Sequence, residues 1–376
     1  MNKDKFMSTR EIIVKSNKIT FSDNGNRFNC KGIAYQPVDG VDPLSDDRLD
    51  IIKSDYEKYW KPLAINALRV YQVDPDKKHD QVMNFLAEKG IYVLVGMVNG
   101  SNCIWRFDGG NNFNYATALV RVKEVADCFS VYDNVLCYSV SNEMLYGEIL
   151  DQRSSSNPDA TSTYAPSYVK GVIKELKKYI ASKTTPGYRK DIPIGVLLRD
   201  DPNFSPEGMN YYISGTIDER ADFIGYNCFR WGPGTPDGRI RAYVAFYNFI
   251  QPFSQYVPVL FTEYGSNACE VGGARPFTQV PYIFGETLLP GNLNFNDEIC
   301  GGMVFRFLDH GAQWGLYTGT DGGTLTPTTY GGADNLAAEY SKVLTEGGPA
   351  PTTPIPANIP VTPGNRFNKP IPSPPA

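Results

Sequence analysis

Two glutamates close two runs of strand-forming residues. Ser141-Asn142-Glu143 follows Val135-Leu136-Cys137-Tyr138-Ser139-Val140, and Thr262-Glu263-Tyr264-Gly265 follows Val257-Pro258-Val259-Leu260-Phe261. A carboxylate at the end of a buried strand is costly unless its site uses it. Two of them, each at the carboxyl end of its own strand, suggest a pair of acids facing one substrate. Retaining glycoside cleavage needs such a pair. One acid protonates the departing oxygen, and a carboxylate about 5–5.5 Å away attacks the anomeric carbon. Glu143 suits the acid role, with Asn142 beside it to bond a sugar 2-hydroxyl. Glu263 suits the nucleophile role, with Tyr264 or another tyrosine to orient it. Taken singly, an Asn-Glu pair is more often a helix start or a solvated turn. The recurrence at two strand ends is what points to chemistry.

Such residues need strands to hold them. Near-continuous apolar runs predict eight buried strands over 32–36, 67–73, 91–98, 135–143, 192–198, 222–229, 257–264 and 302–308. Helical patterns lie between them over 80–89, 115–132 and 168–180, the first closed by Gly90. Eight strands with helical crossovers predict an α/β protein with a single (β/α)8 TIM barrel, whose site is built at the carboxyl ends of the strands. Glu143 then ends the fourth strand and Glu263 the seventh. A doubly wound sheet competes, but no Gly-x-Gly-x-x-Gly follows a first strand, so a dinucleotide cofactor has no support. The predicted organisation is an extension over 1–20, the barrel over 21–344 and a Pro/Thr-rich tail over 345–376. The tail lacks the apolar residues to fold alone and reads as an extended linker or as an arm for a protein partner.

Composition narrows the function. The net charge is −5, and no basic patch interleaved with aromatics occurs, so nucleic-acid binding is not expected. The 24 tyrosines and 20 phenylalanines fit sugar stacking and a large core equally well. No stretch is long enough to span a membrane. Met1-Asn2-Lys3-Asp4-Lys5 leads into no apolar leader and the end carries no lipid-anchor signal, so the compartment stays open. Seven cysteines without a Cys-x-x-Cys pair, and only His79 and His310, predict no disulfide framework, metal or cofactor. Cys128, Cys137 and Cys228 lie in apolar runs and are expected to be buried free thiols.

Several segments then carry a resemblance. Lys31-Gly32-Ile33-Ala34-Tyr35-Gln36-Pro37, Arg69-Val70-Tyr71-Gln72-Val73-Asp74-Pro75, Arg220-Ala221-Asp222-Phe223-Ile224-Gly225, Glu263-Tyr264-Gly265 and Trp314-Gly315-Leu316 stand in order and at barrel spacing. Over about residues 28 to 318 the chain resembles the catalytic domain of family 72 glycoside hydrolases, the fungal cell-wall β-1,3-glucanosyltransferases. The resemblance implies a barrel that cleaves a β-1,3-glucan donor internally and passes the held fragment to a glucan acceptor. It implies Glu143 as acid/base, Glu263 as nucleophile and Asn142 as a transition-state contact. Tyr71 is implied on the donor side, with Tyr35, Gln36 and Asn227 as further substrate contacts. Cell surface or cell wall is the location the family implies.

Departures from the family pattern accompany it. Ser141 replaces a glycine, Gly96 stands where an Asp is usual, and Phe229-Arg230 replaces Tyr-Glu. Phe307 is placed at the eighth-strand tyrosine, with Asp309-His310 after it. The family's cysteine pairs are mostly missing. Trp105, Trp231 and Trp314 follow predicted strand ends and are candidate sugar platforms, with core anchoring the competing expectation. Asp74-Pro75-Asp76 reads as a turn, and His310 as a loop residue near the cleft mouth. Two other functions share the features: a non-catalytic structural or glucan-binding barrel, and a retaining glycosidase acting on another β-glycan such as mannan or cellulose.

Overall fold

A computed structural model of the chain describes residues 9–99, 102, 104, 115–143, 158–201, 205–232, 234–266 and 273–375, with the backbone alone for 158–164. Strands are numbered along the chain. The first eight are β1 (Ile12–Lys15), β2 (Lys18–Phe21), β3 (Asn26–Phe28), β4 (Cys30–Ala34), β5 (Ala67–Val70), β6 (Tyr92–Gly96), β7 (Val135–Ser139) and β8 (Ile194–Arg199). After them come β9 (Gly215–Thr216), β10 (Phe223–Cys228), β11 (Val259–Tyr264), β12 (Gly301–Val304), β13 (Tyr317–Thr318), β14 (Thr326–Pro327), β15 (Glu346–Pro349) and β16 (Asn358–Ile359). The helices are α1 (Leu49–Asp55), α2 (Asp80–Glu88), α3 (Tyr115–Phe129), α4 (Pro158–Ser182), α5 (Ser205–Ile213), α6 (Pro236–Ser254), α7 (Val280–Ile283) and α8 (Ala333–Tyr340).

The eight predicted strands are β4, β5, β6, β7, β8, β10, β11 and β12, and they close into a parallel barrel in that order. Their apolar residues face the interior on one side and the helices on the other, which is why the runs are unbroken. Most strands stop short of their predicted carboxyl ends. The ladder of β7 ends at Ser139, so Asn142 and Glu143 stand in the loop beyond it. That placement lets their side chains turn over the barrel mouth.

The described parts of the two flanking segments pack on the barrel. Residues 9–28 form a hairpin of β1, β2 and β3. Its Ile12, Ile19, Phe21 and Phe28 join one apolar cluster with Ala67, Leu94, Cys137, Leu197, Leu260 and Met303 from the barrel strands. The hairpin thereby seals the end where the strands begin.

The Pro-rich segment is no free linker. Its backbone supplies acceptors and edges that the barrel's outer surface uses. β15 pairs with β3 and β16 with β9. Arg220 Nη1 donates to the Pro356 carbonyl at 2.7 Å, and Arg366 grips Glu207 through Nε and Nη2 at 2.7 and 3.0 Å. Phe367 is fully buried. The hydroxyls of Tyr211 and Tyr115 reach the carbonyls of Lys369 and Pro372. A segment unable to build its own core still docks on one that exists. The arm's binding surface in this structure is the barrel itself.

Candidate active site

An open cleft of about 960 Å³ lies over the carboxyl ends of the barrel strands, and both glutamates line it. Glu263 is the penultimate residue of β11 and only 5 % exposed. Side chains alternate across a strand, so Glu263 points into the barrel and Tyr264 out of it. Beside Glu263 stands Asn227 of β10, brought into pair by a register shift after Tyr226. Such irregularities re-aim side chains next to active sites.

Arg69 of β5 organises the group. It is 1 % exposed and sits over the Tyr71 ring at 4.2 Å. Its Nη1 donates to Glu263 Oε1 at 2.7 Å, to Asn227 Oδ1 at 3.3 Å and to the Thr262 carbonyl at 3.0 Å. Its Nη2 donates to Asn142 Oδ1 at 2.6 Å. The Tyr71 hydroxyl donates to the same Glu263 oxygen at 2.8 Å. Asn227 then spans the two acids: its Oδ1 also accepts from Thr262 Oγ1, and its Nδ2 donates to Glu143 Oε1 at 3.1 Å. One guanidinium and one amide thus tie both acids and the neighbouring asparagine into a single network.

Electrostatics follow from this packing. Burial pushes the Glu263 carboxyl up, the Arg69 charge draws it down and Glu143 pushes it up again, with the Tyr71 hydrogen bond opposing; the net direction is upward. Burial raises the Tyr71 hydroxyl well above the usual tyrosine value, so it stays a donor. Glu143 has a φ of 49°, a left-handed conformation rare outside glycine and asparagine. Non-glycine residues held there cost of order 1–3 kcal/mol and cluster at functional sites.

Other candidates separate into those in the cleft and those behind it. Gln36 lines the cleft. Its Nε2 donates to the carbonyls of Val38 and Val41, and its Oε1 is buried with no hydrogen-bond partner. Trp314 lines the cleft with Phe229 and Phe305, their ring centroids 4.8 and 5.5 Å from its own. Tyr35, Tyr264 and Trp231 are corrections. Tyr35 is fully buried, and its hydroxyl bonds Asp55 of α1 at 2.7 Å. Tyr264 faces α8, where its hydroxyl meets that of Tyr340 at 2.6 Å. Trp231 packs on Tyr243 and Tyr282, and its Nε1 donates to Thr278. Trp105 lies outside the described residues.

The departures also resolve. A side chain at Gly96 would put its Cβ 2.1 Å from the Tyr71 carbonyl oxygen, so the close backbone approach leaves no room for one. Phe307 is core, packed on Tyr35, Tyr59 and Tyr317; the eighth-strand aromatic in the cleft is Phe305. Arg230 is matched by Asp200 through Nε and Nη2 at 2.5 and 2.6 Å. Asp74 forms the expected turn, and His310 stands 3.9 Å from Asp39, a cleft residue.

Arg69 and Arg306 are site residues that sequence reasoning missed. Arg69 had a signal, a charge within the otherwise apolar Ala67-Leu68-Arg69-Val70. Arg306 lines the cleft with its Nε buried and without a hydrogen-bond partner, which nothing in the sequence marks.

The two tryptophans should behave oppositely. Trp314→Ala is expected to weaken binding of a sugar chain in the cleft about tenfold, equivalent to ~1.4 kcal/mol, read by titration calorimetry, with a smaller drop in melting temperature than Trp231→Ala. Trp231→Ala should cost ~3–5 kcal/mol of stability, seen as a lower melting temperature.

Comparison with known proteins gives the context. The glucanosyltransferase model of glycoside hydrolase family 72 matches residues 2–343. The 1,3-beta-glucanosyltransferase GAS5 of Saccharomyces cerevisiae is 32 % identical over 338 residues, covering 89 % of this chain and 63 % of that protein. The 1,3-beta-glucanosyltransferase gas5 of Schizosaccharomyces pombe is 31 % identical over 323 residues, covering 84 % and 57 %. The chain therefore spans less than two thirds of these relatives' length. Among solved structures, Saccharomyces cerevisiae Gas2p in complex with laminaripentaose superposes with a TM-score of 0.73 at 27 % identity, over 91 % of this chain and 71 % of that one. Gas2p in complex with laminaritriose and laminaritetraose gives 0.75 at 26 % identity, over 96 % and 76 %. With a match across nearly its whole barrel, the chain belongs to glycoside hydrolase family 72, the glucanosyltransferases.

Proposed function

We propose that this protein is a retaining β-1,3-glucan transglycosylase acting by double displacement. The observation that carries the reading is the single network in which Arg69 and Asn227 join Glu263 to Glu143 at the mouth of the barrel. In the first step Glu143 gives its proton to the glycosidic oxygen while a Glu263 oxygen attacks the anomeric carbon. The bond to the departing fragment breaks and a glycosyl ester forms on Glu263. In the second step Glu143 takes a proton from an acceptor hydroxyl, that oxygen bonds the anomeric carbon, and Glu263 leaves. Water in the acceptor's place would give hydrolysis, so transfer depends on how well a second glucan is positioned.

The cleft suits a long polyhydroxylated chain. Trp314, Phe229 and Phe305 offer an aromatic wall for pyranose faces. Gln36 and Arg306 line the same cleft and bring polar side chains to its wall, where sugar hydroxyls can bond. The relatives' 1,3-beta-glucanosyltransferase activity and the laminari-oligosaccharides in the Gas2p structures favour β-1,3-glucan as donor and acceptor.

Incubation with reduced laminari-oligosaccharides tests this. Products longer than the starting chain are expected. Shorter products alone would make it a glucanase, and cleavage of another glycan with laminarin ignored would shift the substrate class. No turnover of any glycan would overturn the enzymatic reading and leave a binding barrel.

A further inference from the structure

Away from the cleft, between α2 and α3, three side chains form a relay that the glucan chemistry does not use. His79 caps the start of α2, and Cys128 is the penultimate residue of α3. The His79 ring is buried and both its nitrogens are engaged: Nε2 with Asp42 Oδ2 at 2.7 Å, and Nδ1 with Cys128 Sγ at 3.3 Å. Asp42 is itself fixed, accepting from the backbone N–H groups of Leu44 and Asp74 at 2.8 and 2.6 Å. Phe129 packs on the imidazole at 4.6 Å. This is the order of a nucleophile, a base and the group that orients the base.

We propose that Cys128 is a nucleophilic thiol, activated by His79 and Asp42, and a site of oxidation by hydroperoxides. The sulfur attacks one peroxide oxygen; an S–O bond forms as the O–O bond breaks. Sulfur is oxidised to the sulfenic level, and the peroxide is reduced to water or an alcohol. The leaving oxygen takes the proton that His79 Nδ1 holds against the sulfur.

Two contrasts support the assignment. Cys30, Cys137 and Cys228 are buried in apolar surroundings, and burial pushes each thiol far up, which makes them inert. Cys128 is partly exposed and faces an imidazole. Burial draws the His79 ring down, but the hydrogen bonds to Asp42 and Cys128 outweigh it and raise it to about 9, so the ring presents a charged donor to sulfur. Other titratable groups around the pair are Asp46, Asp80, Tyr132 and Tyr138. Tyr132 donates to Asp80, and Asp46 accepts from the first backbone N–H groups of α2, so neither carboxylate competes for the ring.

The test uses the full chain at pH 7 with limiting hydrogen peroxide, dimedone capture of sulfenic acid and peptide mapping. Cys128 should be labelled at least tenfold faster than glutathione treated alike, and faster than Cys30, Cys137, Cys228 and Cys300. His79→Gln should remove that excess, while Cys128→Ser keeps glucan transfer. The proposal is overturned if wild-type Cys128 reacts no faster than glutathione, a comparison that holds even should His79→Gln not fold. It is equally overturned if folded His79→Gln reacts as fast as wild type.

Discussion

Glu263→Gln is expected to abolish the proposed glucan transfer, with kcat falling by at least ~10⁴-fold, because in the proposed double displacement the amide cannot form the glycosyl ester. Glu143→Gln should lose less, on the order of 10²–10⁴-fold, since it removes proton transfer and leaves the nucleophile in place. A dinitrophenyl β-laminarioside separates the two roles, because its leaving group needs no proton. With that substrate Glu143→Gln should still complete the first step, and intact-mass measurement should show protein carrying a glycosyl unit. Glu263→Gln should show none. Equal losses with the activated substrate would mean that the roles are not divided in this way. The network predicts some coupling as well. Asn227 Nδ2 donates to Glu143 Oε1, and its Oδ1 lies 3.3 Å from the Arg69 nitrogen that holds Glu263. Changing either acid therefore disturbs the groups that hold the other, and the two losses should be less than additive in the double variant.

The barrel was legible because parallel strands covered on both faces must be apolar along their whole length, and eight such runs stand in this chain. Strand ends were less legible. Val140 continues the apolar run of β7 after its ladder has stopped, so the pattern overran the edge by several residues. The two acids were visible as charges at the ends of those runs. Their neighbours were not sorted by the same signal, since adjacency in sequence says nothing about which side of the barrel wall a residue occupies. Alternation does sort them: Gln36 and Glu263 face the cleft, while Tyr35 and Tyr264 face the helices. The Pro-rich tail was judged by whether it could build a core of its own. Docking on a finished barrel needs only extended backbone, a few donors such as Arg220 and Tyr211, and one buried ring, Phe367. Short motifs of that kind leave no periodic trace.

Replacing Arg69 tests whether the network, beyond the two acids alone, sets the chemistry. Arg69→Met leaves Glu263 and Asn142 without their shared donor in a site where Arg69 and Glu263 are 1 % and 5 % exposed. Breaking a buried pair by removing one partner costs ~3–5 kcal/mol, and displacing a catalytic group by about 1 Å costs on the order of 10²-fold in rate. Both a lower melting temperature and at least that loss in kcat are expected. The pH dependence carries a definite sign. In the proposed double displacement Glu263 must be ionised to attack, and its carboxyl is already raised, so the acid limb of kcat/KM in the wild type should lie above the ordinary glutamate value of 4.5. Without the guanidinium that draws it down, the limb should move to still higher pH. Stability should follow the same direction. A carboxyl raised in the folded state contributes stability below its unfolded value and loses it as pH rises through the folded one. The melting-temperature gap between wild type and Arg69→Met should therefore be small in acid and widest near neutrality. Arg69→Lys supplies the discriminating control. It keeps a positive charge near Glu263, which holds the acid limb close to its wild-type position. A single ammonium on a flexible stem does not reproduce the planar fork that reaches Glu263, Asn227 and Asn142 together, so kcat should fall all the same. A wild-type rate in Arg69→Lys would reduce the residue to a counter-charge, and an unmoved acid limb in Arg69→Met would remove Arg69 from the control of Glu263.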